Sequence, residues 1–522
     1  MLVVTGARVW NPSRGGGDPA EPRAVWINGD RIVEVTPVDA APAPGARADI
    51  TVLSYPGRFV LPAFVDAHFH LMSLANKSLR RDLSSARDAA DVVSLLAAEA
   101  SARRDDGAVV GVDFDESDWR DGLLPTRASL NAVSRTRPLY ARRVCCHVGV
   151  ANDALLALLQ SPERFVDRAS GRIVEEAVFE ANRLTRPPAA DQVLAIDGAI
   201  AHLHSLGVTA IHDIVDAESL DVYVEGLQTS RRPLRVDAYL HVAARDFDAA
   251  RSRLRALSGR GVRAMGIKIF ADGSLGGRTA ALNAPYADGG ATGDLLVTPA
   301  ALRAELEACV RMGAACAVHA IGDRALGAVL DAMDAVTRAA GPARFRIEHA
   351  EVIGPPELER CARLRVPLVM QPNFVRNWGG EGGMYAQRLG PERWGRNNPF
   401  ATLSRHDVPV VFSSDVMPAG PLFGIRGATR HAVAGERIGT GEAFYRYTRA
   451  AADVFGSWEE ATAGPEAGRI EPGARADLIV IPAHPLLADP DRLRVEATIA
   501  DGAEVYRAEP AARPMKHSKR RR

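Results

Sequence analysis

Leu61-Pro62-Ala63-Phe64-Val65-Asp66-Ala67-His68-Phe69-His70 is an apolar run that ends in an aspartate and two histidines spaced two apart. Alternate positions of a strand share a face, so an extended backbone here points His68 and His70 the same way. Similar short apolar runs recur along the chain. Their spacing predicts strands at Phe59–Asp66, Val208–His212, Leu234–His241, Met265–Phe270, Cys316–His319, Phe345–His349, Pro367–Gln371 and Val410–Ser414. Stretches with helical periodicity, such as Ala301–Met312, Ala325–Ala339 and Pro356–Leu364, separate most of them. Strand and helix alternating through eight units is the pattern of an α/β (β/α)8 TIM-like barrel. Only the gap after the first strand is too long for one crossover helix. Roughly residues 75–205 are therefore read as an inserted subdomain.

The two chain ends have another character. Val3–Val9, Ala24–Ile27, Arg31–Val35 and Val52–Ser54 are short strand-like runs, with the turn signal Gly29-Asp30 among them. Ala476–Ile481 and Ala497–Arg507 repeat the pattern around Asp501-Gly502. The expectation is a small β-sandwich domain built from both termini. Residues 1–58 supply its first part, and a helix with strands in 446–510 completes it. The barrel then occupies 59–445, and 511–522, with Lys516, Lys519, Arg520, Arg521 and Arg522, forms a basic flexible tail.

Composition narrows the class. The chain has 522 residues, 47% hydrophobic and 25% charged, enough apolar material to bury a large core. Lys+Arg and Asp+Glu are both 64, which gives no basic surplus for nucleic acid or a membrane surface. No apolar stretch approaches the ~18–20 residues of a membrane span, and Met1–Arg14 does not read as a signal peptide. The five cysteines, Cys145, Cys146, Cys309, Cys316 and Cys361, form neither a C-x-x-C nor an even framework, which fits a reducing, cytoplasmic setting.

Chemistry is expected where barrel strands end. The first ends with His68 and His70, the fourth carries Lys268, the fifth ends at His319, the sixth at His349, and the eighth runs into Asp415. A buried lysine between Ile267 and Ile269 is costly unless paired or chemically altered. The chain holds a second H-x-H, His202-Leu203-His204. It lies in a helical run, where positions two apart do not share a face, and is read as structural.

As a set, these stretches resemble the amidohydrolase superfamily of metal-dependent hydrolases, in the branch similar to N-substituted formamide deformylases (the amidohydrolase 3 family). Carrying the resemblance are 61–70, Lys268-Ile269-Phe270-Ala271-Asp272-Gly273-Ser274 through Ala280, and Val318-His319-Ala320-Ile321-Gly322-Asp323-Arg324-Ala325. Arg346-Ile347-Glu348-His349-Ala350, Ser413-Ser414-Asp415 and Pro472-Gly473-Ala474-Arg475-Ala476-Asp477-Leu478 complete the set. The resemblance implies two divalent metal ions, zinc first among candidates. His68, His70 and Asp415 would hold one, His319 and His349 the other, and Lys268, carboxylated by CO2, would bridge them. It implies hydrolysis of an amide-like, non-peptide carbon–nitrogen bond in a small molecule by a metal-bound hydroxide, with Asp415 as the proton carrier. His147, Arg278 and Trp378 are candidates for substrate contact, and His212 for support of the ligands. Cys146 stands where the family more often has glycine, and Gly277 where serine is common. Homodimers are common in the family. The alternatives are a one-metal deaminase of the same superfamily, against which Gly322 and Lys268 speak, and a non-catalytic protein of the same fold.

Overall fold

The computed structural model describes residues 1–17, 21–120, 122–454 and 467–509, so the basic tail at 511–522 lies outside the described residues. Eight parallel strands form one sheet in sequence order: β1 (Phe64–Phe69), β2 (Val208–Asp216), β3 (Arg235–His241), β4 (Val262–Phe270), β5 (Ala315–Ala320), β6 (Phe345–His349), β7 (Leu368–Met370) and β8 (Val410–Phe412). This is an α/β fold with a nearly closed all-parallel barrel. No backbone ladder joins β8 to β1. Side chains close that seam: the buried Asp66 carboxylate accepts hydrogen bonds from the Ser414 amide at 2.9 Å and hydroxyl at 2.5 Å. One backbone bond adds to it, from the Asp415 N–H to the His68 carbonyl at 3.1 Å.

Strand periodicity sorts the side chains. On β5, Cys316 and Val318 join the large core under the helices, whereas Ala315 and Ala317 join a small cluster with Tyr239 and Met265. The helix Asp323–Ala340 shows the complementary pattern. It buries Leu326, Val329, Leu330, Met333 and Val336, one apolar stripe at helical spacing, into that outer core.

The structure corrects the first expected strand. Phe59–Asp66 is not continuous. Phe59–Pro62 pairs antiparallel with Leu478–Ile481, and the chain restarts at Phe64 as β1. Both pieces are buried and apolar, so local pattern could not separate them. At the break, Ala63 N–H bonds the Asp477 carbonyl and Phe64 N–H bonds the Gly207 carbonyl, two different partners far along the chain. Phe59–Pro62 belongs to a sheet shared by both chain ends, in the order Ala503–Arg507, Ala497–Ala500, Leu478–Ile481, Phe59–Pro62, Leu2–Val9, Pro22–Asn28, Arg31–Pro37. Thr51–Ser54 pairs beside the first half of Leu2–Val9. Between β1 and β2 in sequence lies a third sheet, of six strands, which includes Val109–Phe114, Leu139–Arg143 and Val148–Ala151. Among the described residues, no helix is long and apolar enough to cross a membrane.

Close strand approach makes one glycine sensitive. A Cβ on Gly266 in β4 would sit 1.9 Å from the Ala315 carbonyl oxygen of β5. Gly266→Ala is expected to destabilise the protein by about 1–3 kcal/mol through forced strand displacement. Gly435→Ala, at an exposed site with no neighbour within 4 Å, should leave stability unchanged. Denaturant unfolding of both variants beside the parent protein measures the difference.

Candidate metal centre

Five of the six residues singled out from strand ends, His68, His70, His319, His349 and Asp415, line one cavity, and the buried Lys268 lies close enough to act on the charges of His68, His319, His349 and Asp415. His68, Lys268, His319, His349 and Asp415 are buried, and His70 is 28% exposed. Ring centroids lie 4.9 Å apart for His68 and His349, 4.5 Å for His319 and His349, and 5.3 Å for His68 and His70. Ligand atoms of His68, His349 and Asp415 come within 4.8 Å of one another. Asp415 Oδ1 lies 3.2 Å from His70 Nε2 and 3.6 Å from His68 Nε2.

Backbone conformation helps aim two of these groups. On β6, Phe345 and Ile347 point to the outer core. Simple alternation would send His349 the same way. Instead His349 has φ +72° and the next residue, Ala350, φ +48°, so the alternation breaks at the strand end. Asp415 and Val416 likewise have φ +52° and +62°. Non-glycine residues in this region cost of order 1 kcal/mol or more each, a strain that collects where geometry matters more than stability.

Each imidazole has one nitrogen engaged. His68 Nδ1 donates to Glu348 Oε2 at 2.5 Å, and His349 Nδ1 to Gln371 Oε1 at 2.8 Å, which leaves Nε2 of both rings free as ligands. His319 is reversed. Its Nε2 donates to the Gly273 carbonyl at 3.0 Å and so offers Nδ1. Such partners fix tautomer and ring orientation at metal sites. Burial, and then neighbouring cationic groups with Lys268 among them, pushes the pKa values of all three far below the usual histidine range. The rings are therefore neutral, the form that binds metal. Burial also raises the Asp415 carboxyl, but His68, His70 and Lys268 outweigh it and hold it below the ordinary aspartate value.

Lys268 is the anomaly. It is 1% exposed, and its Nζ has no hydrogen-bond partner. It lies 4.8 Å from the centroid of the Phe270 ring. Burial lowers its pKa to about 8, against the pull of the Glu348 and Asp415 carboxylates. A buried amine without a partner beside neutral imidazoles and a carboxylate fits a site built around a cation.

The other candidates divide. His147 lines the cavity, with its ring 5.7 Å from that of His319. Burial disfavours its charge, but the Glu175 carboxylate 2.8 Å away prevails and raises its pKa to about 9. The preceding Cys146 has φ +60°, a conformation glycine adopts without cost, which accounts physically for a glycine at that position in the resembled family. Trp378 also lines the cavity and donates from Nε1 to Asp115 Oδ2 at 2.7 Å. Arg278 is not among the lining residues; its guanidinium forms a two-pronged ion pair with Asp288 at 3.0 and 3.2 Å. His212 lies inside the barrel, where its Nδ1 accepts from Arg346 at 2.8 Å. His202 and His204 fall on the helix Ala189–Ser205, and His204 donates to the Pro233 carbonyl.

Several supporting residues were not singled out from sequence. Arg346 and Glu348, fully buried, form an ion pair of 2.6 Å under His68. Their spacing of two on β6 was the available signal, since it places both on the inner face. Asp272 accepts from the Ala281, Ile321 and Gly322 amides, each at 2.9 Å, and so ties the loop after β4 to the one after β5. His241, at the end of β3, lines the cavity and pairs with Asp216.

The chain is similar to known proteins along most of its length. The chain is 28% identical over 489 residues to the Bacillus subtilis (strain 168) protein YtcJ, covering 87% of this chain and 90% of that one. It is 27% identical over 540 residues to the N-substituted formamide deformylase of Arthrobacter pascens, covering 93% and 95%. Among solved structures, an uncharacterized metal-dependent hydrolase from Pyrococcus furiosus superposes with a TM-score of 0.71 at 28% identity, over 94% of this chain and 99% of that one. The sequence profile of the amidohydrolase family matches residues 56–506. That span takes in the whole barrel, the sheet between β1 and β2 and most of the last strand, and the chain belongs to the amidohydrolase family.

Proposed function

We propose that this protein hydrolyses an amide-like, non-peptide carbon–nitrogen bond of a small molecule at a centre of two divalent ions, zinc first among them. The observation that carries the proposal is Lys268, whose buried and unpartnered Nζ stands at the strand-end histidines. Reaction of that amine with CO2 forms an N–C bond and releases a proton. The product is an anionic carbamate whose two oxygens suit a pair of divalent ions. The lowered lysine pKa, about 8, raises the share of free amine near neutral pH that can react. The bound ions would supply Lewis acidity and activation of water.

The chain's own groups do the rest. His68 Nε2, His70 and Asp415 would hold one ion, and His319 Nδ1 and His349 Nε2 the other. Asp415, 3.2 Å from His70, would take the proton of the attacking water and pass it to the leaving nitrogen. His147, kept protonated by Glu175, can donate to the carbonyl oxygen as negative charge develops there. The wall of Leu275, Phe374, Trp378 and Met384 favours an apolar group next to the amide and helps exclude water. The relative from Arthrobacter pascens, named for deformylation of N-substituted formamides, supports the same bond class. All five cysteines are free thiols, in keeping with a proposed cytoplasmic setting. The substrate is proposed to be a small molecule rather than nucleic acid or membrane, and a second copy of the chain is the partner the family favours.

Three outcomes are expected. Elemental analysis of carefully prepared protein should give near two metal equivalents; a value near one, unchanged on adding zinc, would favour the mononuclear deaminase reading. Lys268→Ala should lose activity and one equivalent, with partial rescue of turnover by acetate or propionate. A crystal structure with both ions bound to an unmodified lysine in fully active enzyme would overturn the carbamate. Asp415→Asn should keep the fold and lower kcat by about a hundredfold to ten-thousandfold. Near-parental kcat, with metal content and melting temperature measured on the same preparation, would sink the proton-carrier role.

A further inference from the structure

On the side of the cavity mouth formed by the inserted sheet, two arginines lie where no carboxylate meets them. Arg142, on the strand Leu139–Arg143, lines both the metal-centre cavity and a second cavity that adjoins it. It is only 9% exposed, and its Nε is buried without a hydrogen-bond partner. Its Nη1 donates a long hydrogen bond, 3.4 Å, to Asn182 Oδ1. Arg80 lines the adjoining cavity, with Nε and Nη1 buried and unpartnered and only a 3.4 Å contact from Nη2 to the Thr185 carbonyl.

The carboxylates nearby are already engaged. Asp113 pairs with Lys77, Asp216 with His241, and Glu218 with Arg183 and Arg186. Among the described residues, none forms an ion pair with Arg80 or Arg142. The adjacent Arg143 makes the contrast. Its guanidinium holds Glu116 and Asp115, both at 2.7 Å, so its charge is matched. Arg142 feels the Asp113 carboxylate at longer range, but neither guanidinium is in an ion pair and both are largely withdrawn from water, so a ligand that brings negative charge meets unsatisfied donors. Guanidinium groups suit carboxylates in particular, because their planar donors meet two oxygens at once.

We infer that Arg142 and Arg80 form a carboxylate-recognising arm of the active-site cavity, so that the substrate is an amide-like compound carrying a carboxylate away from the bond that is cut. This rests on the hydrolase reading above and names its substrate class: N-acylated amino acids and similar amides with an apolar acyl group. The acyl group would meet the Phe374 and Trp378 wall, the amide the strand-end histidines, and the carboxylate the arginines. Arg278, the arginine that the sequence offers for substrate contact, has its charge already matched by Asp288, whereas Arg142 on the inserted sheet does not have such a pair.

The test compares two ligands that differ in one charge. N-benzoylglycine and N-benzoylglycinamide are titrated into metal-loaded, full-length protein by calorimetry, and hydrolysis of both is followed. The parent protein should bind the acid at least about tenfold tighter than the amide, as expected for charge-assisted bonds. Arg142→Met and Arg80→Met should each move that ratio towards one, and Arg142→Lys should retain part of it; circular dichroism checks that each variant folds. Equal affinities in the parent protein, or a ratio unchanged in both methionine variants, overturns the inference. Hydrolysis of the amide with no preference for the acid sinks the arm and leaves the proposed reaction standing. Charge-dependent binding that the variants abolish, without cleavage of any carbon–nitrogen bond, supports the arm and sinks the reaction.

Discussion

Asp66 clasps the one seam of the barrel that no backbone ladder closes. Its buried carboxylate accepts from the amide and the hydroxyl of Ser414, and that grip sets where the chain turns after β8. Asp415 follows at once, with its own N–H on the His68 carbonyl. Seam and ligand placement are thus one arrangement. The residue that shuts the barrel stands two before the first histidine and holds the residue one before the aspartate. Burial raises the Asp66 pKa to about 7, yet two hydrogen bonds from Ser414 favour the charged form. A neutral residue of the same shape would lose the stronger, charge-assisted grip.

Beneath the histidines the barrel interior is polar where an apolar plug would be simpler. The Arg346 guanidinium lies 4.0 Å from the Tyr239 ring centroid, pairs with Glu348 and donates to His212. Glu348 in turn accepts the hydrogen bond of His68 Nδ1. Buried ion pairs often add little net stability, because desolvation cancels attraction. What this chain of contacts supplies is orientation. It fixes which nitrogen of His68 faces the cavity, and burial keeps His212 neutral, at about 4, as an acceptor for the arginine.

The barrel was legible because its signals are local. Short apolar runs, helical stripes such as Leu326 to Val336, and ligand residues at strand ends all repeat within windows of a few residues. The division of Phe59–Asp66 was not, because the partner of Phe59–Pro62 is Leu478–Ile481 and nothing nearby announces it. Likewise the sequence offered Arg278 and not Arg142 as a candidate for substrate contact. What separates the two is whether a carboxylate from elsewhere, Asp288 in one case, folds against them. His349 and Asp415 do come together with His68, but the positive φ values of both could not be inferred from residue type. Strand alternation alone would have pointed His349 outward.

The sheet shared by the chain ends sets a delay on the ribosome. Phe59–Pro62 is buried along its whole length, and its antiparallel neighbour Leu478–Ile481 lies roughly 400 residues downstream. At the usual pace of about 5–20 residues per second, that neighbour is made some 20–80 s later. Leu2–Val9 can dock on one side at once, but the other side stays an open apolar edge for that interval, the kind of template that recruits stray strands. Growing chains of this protein are thus natural clients for chaperones that bind exposed strand edges, and crowded overproduction should fill inclusion bodies with chains whose barrels are sound and whose two ends never met.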